Sequence, residues 1–151
     1  MLNVKDLMTR EVMTVAPDMS VKDAAKLLFE KEISGLPVVS QDNKIIGMIT
    51  EKDLIAMALP NYLEKLGDFD FILNEEPFIR KIADADKVKV KDIMRKDVLC
   101  VSEDTPIPEV ARLMIIKKVR RIPVLDKDKK LAGIIARADI VKEIAKKTGI
   151  V

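Results

Sequence analysis

SGLPVVSQDNKIIGMIT, residues 34–50, returns 86 residues later as RRIPVLDKDKKLAGIIA, residues 120–136. Each copy carries an apolar run with a proline, a polar tetrad, and a second apolar run interrupted by one glycine. Leu36-Pro37-Val38-Val39 and Ile122-Pro123-Val124-Leu125 read as short strands with the proline at their first positions. Gln41–Lys44 and Lys127–Lys130 read as hairpin turns. The return strands are then Lys44–Ile49 and Lys130–Ile135. Gly47 and Gly133 imply a bulge or close backbone approach, and the same feature leaves room for a ligand.

Working outward, the match runs without a gap over residues 4–55 and 90–141, with 17 of 52 positions identical. It opens on VKDLMTREVMTV (Val4–Val15) and VKDIMRKDVLCV (Val90–Val101). Between the opening and the first strand, Val21, Ala24, Ala25 and Leu28 fall at helical spacing, as do Ile107, Val110, Ala111 and Met114. Ser20 is placed to cap the first of these helices, with Asp23 completing a capping box, and Pro106 suits the start of the second. Further helices begin at Glu51 and Arg137. The order strand–helix–strand–strand–helix therefore occurs twice, an α+β fold made of two βαββα repeats. The division expected is repeat one at 1–59, an insert at 60–89 and repeat two at 90–151. Within the insert, Asn61–Leu66 reads as helix after Pro60, Asp68–Leu73 is aromatic-rich, and Glu75-Glu76-Pro77 reads as a break. The insert is either a packed crossover or a segment that docks a partner or a second copy.

Composition narrows the function. The chain has 151 residues, 27 Lys+Arg against 25 Asp+Glu, a formal charge of +2, one Cys and no His. No internal disulfide is possible, and the commonest metal ligand and general base is missing, so triad hydrolase and zinc chemistry are unattractive. No cofactor or metal is expected, and no enzyme activity. No apolar run approaches the roughly 18–20 residues that span a bilayer, and Met1–Glu11 has no signal-peptide core. A cytoplasmic protein without a membrane segment is expected. Mixed charge and 3% aromatic content argue against nucleic acid, although Lys117–Arg121 forms a local basic patch.

The pattern resembles the CBS domain in its tandem form. The likeness is carried by Asp6-Leu7-Met8-Thr9 with Thr14-Val15-Ala16-Pro17, Gly35–Val39, and Gly47-Met48-Ile49-Thr50-Glu51-Lys52-Asp53. In the second copy it is carried by Asp92-Ile93-Met94, Arg121–Leu125 and Gly133–Asp139. The resemblance implies two repeats about a pseudo-twofold axis, with clefts between them for an adenosine-containing ligand. AMP, ADP or ATP is expected first, with S-adenosylmethionine or methylthioadenosine as the alternative. It also implies a homodimer that regulates a partner protein whose identity is open. A nucleic-acid-binding module and a ligand-free dimerisation module remain as other readings.

Asp53 and Asp139 are the candidate ribose acceptors, because one carboxylate can accept from two adjacent hydroxyls. Thr50 adds a hydroxyl. Thr50-Glu51-Lys52-Asp53 is equally a capping box. Ala136 lacks a capping side chain, which leaves Asp139 without a reciprocal partner. The resemblance assigns phosphate to Lys118, Arg120 and Arg121, with Arg137 as a further cation, and pairs Arg121 with Thr50 and Asp53 in the better site. Arg supplies a planar fork for phosphate oxygens. For adenine it points to Val12, Met13, Val15, Ile33, Leu36, Val98, Leu99, Val101, Val119 and Ile122, most of which also suit a packed core.

Overall fold

Helix α1 (Val4–Leu7) opens the chain and is followed by α2 (Val21–Glu30), β1 (Gly35–Val39), β2 (Ile45–Thr50) and α3 (Glu51–Ala58). After these come α4 (Glu76–Ala83), a 3-10 turn (Ala85–Lys87) and α5 (Val90–Ile93). The second copy continues with β3 (Val101–Ser102), α6 (Ile107–Lys117), β4 (Arg121–Leu125), β5 (Leu131–Ala136) and α7 (Arg137–Lys147). This computed structural model describes residues 1–59 and 76–151. The helix expected at 61–66, the aromatic stretch at 68–73 and the Phe78 side chain lie outside the described residues.

The α+β fold with two strand–helix–strand–strand–helix repeats is as expected, with local differences. Pro37 and Pro123 occupy the third positions of β1 and β4, not the first. The Pro37 carbonyl accepts from the Val15 amide at 3.0 Å, and the Val39 amide donates to the Val15 carbonyl at 3.0 Å. Pro37 has no N–H to give at its own position, and the first strand of the copy is a single parallel bridge between Val15 and Val38. Its counterpart β3 has two residues paired in parallel with β4. At Glu76-Pro77 the expected break is replaced by helix, because α4 starts at Glu76 and proline is tolerated in a first helical turn; Glu75 lies outside the described residues. Ser20 caps α2 by accepting from the Asp23 amide at 3.1 Å. Among the described residues Asp23 makes no return bond, so the expected box is half formed.

Two compact units contain these elements. The central unit comprises Thr14–Gln41 and Ile46–Val98; the terminal unit comprises Met1–Met13, Asp42–Ile45 and Leu99–Val151. The opening strap of each copy is thus packed with the sheet of the other copy. In the central unit, Val90 N–H donates to Met19 O, Lys91 N–H to Pro17 O and Val21 N–H to Val88 O, at 2.8, 3.0 and 2.8 Å. The terminal unit repeats this set 86 residues away, with Val4 to Thr105, Lys5 to Glu103 and Ile107 to Leu2, at 2.9, 3.0 and 3.1 Å.

The cores correspond position by position. Val15, Ala24, Leu28, Leu36, Val38 and Ile49 close on Val90 in the central unit. Val101, Val110, Met114, Ile122, Val124 and Ile135 close on Val4 in the terminal unit, joined by Met8 and Ile140. Burying each Leu, Ile or Val of this kind contributes about 1.5–3 kcal/mol. Gly47 and Gly133 are where the straps cross. A Cβ on Gly133 would lie 2.7 Å from the Thr9 carbonyl oxygen and 2.8 Å from Met8 Sδ. On Gly47 it would lie 2.9 Å from Arg95 O and 2.5 Å from Met94 Sδ. Close backbone approach is realised at both glycines, and beside Gly133 the β4–β5 register also shifts between Val124 and Leu125, a bulge of the kind the sequence left open.

Candidate functional site

The β2–α3 corner of the central unit holds Thr50 and Asp53. Thr50 is extended and ends the strand, and its hydroxyl accepts from the Asp53 amide at 3.3 Å. Asp53 Oδ2 accepts from the Thr50 amide at 2.9 Å and from the Thr50 hydroxyl at 3.0 Å. The capping box is therefore formed, and the Thr50 hydroxyl is engaged in it as donor and acceptor. Both bonds to Asp53 fall on Oδ2; among the described residues Oδ1 has no hydrogen-bond partner, and the side chain is half-buried.

The β5–α7 corner of the terminal unit is built alike. Asp139 Oδ2 accepts from the Ala136 amide at 2.8 Å. The carboxylate thus caps the helix start without a hydroxyl in return, so its presence beside Ala136 has a structural cause. Its Oδ1 likewise has no hydrogen-bond partner among the described residues. In each corner the first helical amide is anchored by the residue before the strand: Glu51 N–H donates to Ser34 O and Arg137 N–H to Arg120 O, both at 2.9 Å.

That second bond, with the register pairing of Arg121 and Ala136, gathers Arg120, Arg121 and Arg137 at the corner that also holds Asp139. Arg120 and Arg137 are exposed and Arg121 is half-buried. Lys118 ends α6 in the left-handed region, φ 55°, as Glu32 does after α2 at φ 52°. Ile33 N–H donates to Leu28 O and Val119 N–H to Met114 O, both at 3.1 Å. These five-residue back-bonds close a Schellman-type turn around each left-handed residue.

The apolar candidates divide by burial. Val15 and Leu36 lie in the central core, and Val101 and Ile122 in the terminal core. Ile33 packs half-buried on the first core, and Leu99 and Val119 on the second. Val12 and Val98 are half-buried, and Met13 is exposed. Cys100 is half-buried, and burial pushes its thiol above the ordinary value, which disfavours the thiolate form. Sequence reasoning did not identify Ser34 and Arg120 as the carbonyls that anchor the two corners. No side-chain pattern marks a backbone acceptor, and only their place before an aligned strand could have done so.

Each copy therefore presents a strand that runs into a carboxylate-capped helix on a small sheet, and the class this defines is a tandem repeat of one α+β module. The CBS domain model matches residues 4–59 and 90–146, and the chain belongs to that family. It is 34% identical over 137 residues to the inosine-5'-monophosphate dehydrogenase of Methanocaldococcus jannaschii, covering 91% of this chain but only 22% of that enzyme. The structure of the Arabidopsis thaliana protein CBSX2 in complex with AMP superposes with a TM-score of 0.75 at 30% identity, covering 98% of this chain and 99% of that one. The CBS domain pair of MJ0100, in complex with 5'-methylthioadenosine and S-adenosyl-L-methionine, gives a TM-score of 0.69 at 25% identity, covering 97% and 98%. No helix among the described residues is long and apolar enough to cross a membrane.

Proposed function

We propose that the chain is a regulatory module and not a catalyst, binding an adenosine-containing ligand and passing its occupancy to a partner protein in the cytoplasm. AMP, ADP or ATP is the preferred ligand class, ahead of S-adenosylmethionine and methylthioadenosine. The observation that carries the reading is the AMP complex of CBSX2, similar to this chain over nearly its whole length. Asp53 and Asp139 hold the ribose hydroxyls on Oδ1 while Oδ2 keeps its capping role. Lys118, Arg120, Arg121 and Arg137 neutralise phosphate. Adenine lies against the apolar residues that retain surface, Val12, Met13, Ile33, Val98, Leu99 and Val119, with Val15, Leu36, Val101 and Ile122 behind them.

A charge-assisted hydrogen bond contributes about 1.5–3 kcal/mol, so Asp53→Asn should weaken AMP binding by about 10–100-fold. Calorimetric titration of both proteins tests this, and equal affinities would refute the ribose role. Binding restricted to the folded state must also raise the melting temperature. A ligand alters the signal only by its differential affinity for two states of the protein.

We further propose that the chain works as a homodimer. Phe29 and Ile55 in the central unit are 85% and 52% exposed, and Ile115 and Val141, 86 residues on, are 70% and 63% exposed. The same outward apolar pair on two equivalent helix pairs suits a second copy of the chain, because a twofold interface is made of self-complementary patches.

A further inference from the structure

The helix pair that carries Phe29 and Ile55 differs in charge from the pair that carries Ile115 and Val141. Along α2 and α3 three basic residues stand against four acidic ones, a net charge of −1. Along α6 and α7 six basic residues stand against three acidic ones, a net charge of +3. Between positions 86 residues apart, Glu30 gives way to Ile116, Glu51 to Arg137 and Ala56 to Lys142. All of these residues are exposed.

Neighbouring carboxylates do not neutralise the positive excess. Arg112 and Lys147 lie against Glu109 and Glu143, at 2.8 and 3.9 Å. Among the described residues no carboxylate lies within ion-pair distance of Lys117, Lys142 or Lys146. Glu30 and Glu51 likewise have no ion-pair partner among the described residues. A second copy has two ways to cover these faces. Like on like sets two +3 faces against each other, whereas unlike on unlike sets +3 against −1. The apolar centres do not choose, because both faces offer a pair of exposed apolar side chains. Charge does, since like charges brought together across an interface select against the wrong pairing.

We infer that two copies associate head to tail, the α2–α3 face of one chain seated on the α6–α7 face of the other, with a twofold axis repeating the contact. This rests on the homodimer reading above and adds to it which face meets which.

The test uses the full chain with Cys100→Ser, which removes its one thiol, and a single new thiol from Lys26→Cys or Arg112→Cys. These exposed positions lie three residues before Phe29 and Ile115, on the same helix face. Treated with a short bismaleimide, neither variant alone should give a covalent dimer, and the two co-expressed should give one. Either variant linking to itself, or a dimer with no mixed link, overturns the inference and leaves the homodimer standing. Charge supplies a second readout. Lys142→Gln with Lys146→Gln should weaken the dimer about fivefold or more in sedimentation at low salt, whereas like pairing requires it to tighten. An affinity unchanged or raised overturns the inference. A parent chain that sediments as a monomer removes the homodimer reading and the inference with it.

Discussion

Replacing Gly133 with alanine puts a methyl carbon 2.7 Å from the Thr9 carbonyl oxygen. That oxygen is pinned: it accepts from the Ile134 amide at 2.9 Å, while the Thr9 amide donates to Ile134 O at 2.9 Å. Either the methyl is forced in, at about 1–3 kcal/mol for overpacking, or the strap lifts off. Lifting loses two backbone hydrogen bonds of about 0.5–1.5 kcal/mol each. The reduced entropy of the unfolded alanine chain returns about 0.4–1 kcal/mol, so the net cost is about 1–2 kcal/mol. For a chain of this size that lowers the melting temperature by about 2–8 °C. Urea denaturation should show the midpoint fall with an unchanged slope, and the Thr9 amide should exchange faster. Met8→Ala should not rescue the variant, because removing the sulfur leaves the backbone oxygen in place. Stability within about 0.5 kcal/mol of the parent, the range of an ordinary surface change, would refute the packing of residues 4–9 on β5.

Glu32 is exposed in a left-handed turn, a conformation that costs a non-glycine residue about 1–2 kcal/mol. Glycine costs more entropy in the unfolded chain, so Glu32→Gly should stabilise by about 0.5 kcal/mol or more; a loss of stability in urea denaturation would count against the turn. Asp18 is held below its ordinary value of 3.8 by its hydrogen bond to Lys91, and then by the charges of Lys91 and Lys89. Its contribution is present above pH 3.8 and disappears as pH falls through the lower folded value. An NMR titration midpoint at or above 3.8 would contradict the pairing. Ile115→Glu with Val141→Glu should convert a dimer to a monomer in sedimentation, since both side chains are exposed and the fold need not suffer; an unchanged mass would exclude this face.

Where each strap packs is invisible in the sequence for a physical reason. Val4 and Val90, Lys5 and Lys91, and Met8 and Met94 are the same residues in the two copies. Packing on one sheet or the other buries the same side chains, and the pattern is degenerate. The internal repeat, by contrast, specifies both cores, since every buried strand and helix position recurs with an apolar partner. The α4 helix was misread because proline ends helices from within yet suits their first turn. The candidate site has the same ambiguity: Asp53 is placed by spacing alone, and one spacing serves a helix cap and a ribose acceptor. Only the geometry separates the oxygens, with Oδ2 committed to Thr50 and Oδ1 without a hydrogen-bond partner among the described residues.

The most direct measurement is titration of AMP into the intact chain and into Asp53→Asn with Asp139→Asn. The account predicts saturable binding to the parent in the micromolar to millimolar range, about −8 to −4 kcal/mol, and at least tenfold weaker binding to the folded variant. Absence of saturable binding to the parent, or identical binding by the variant, would contradict it.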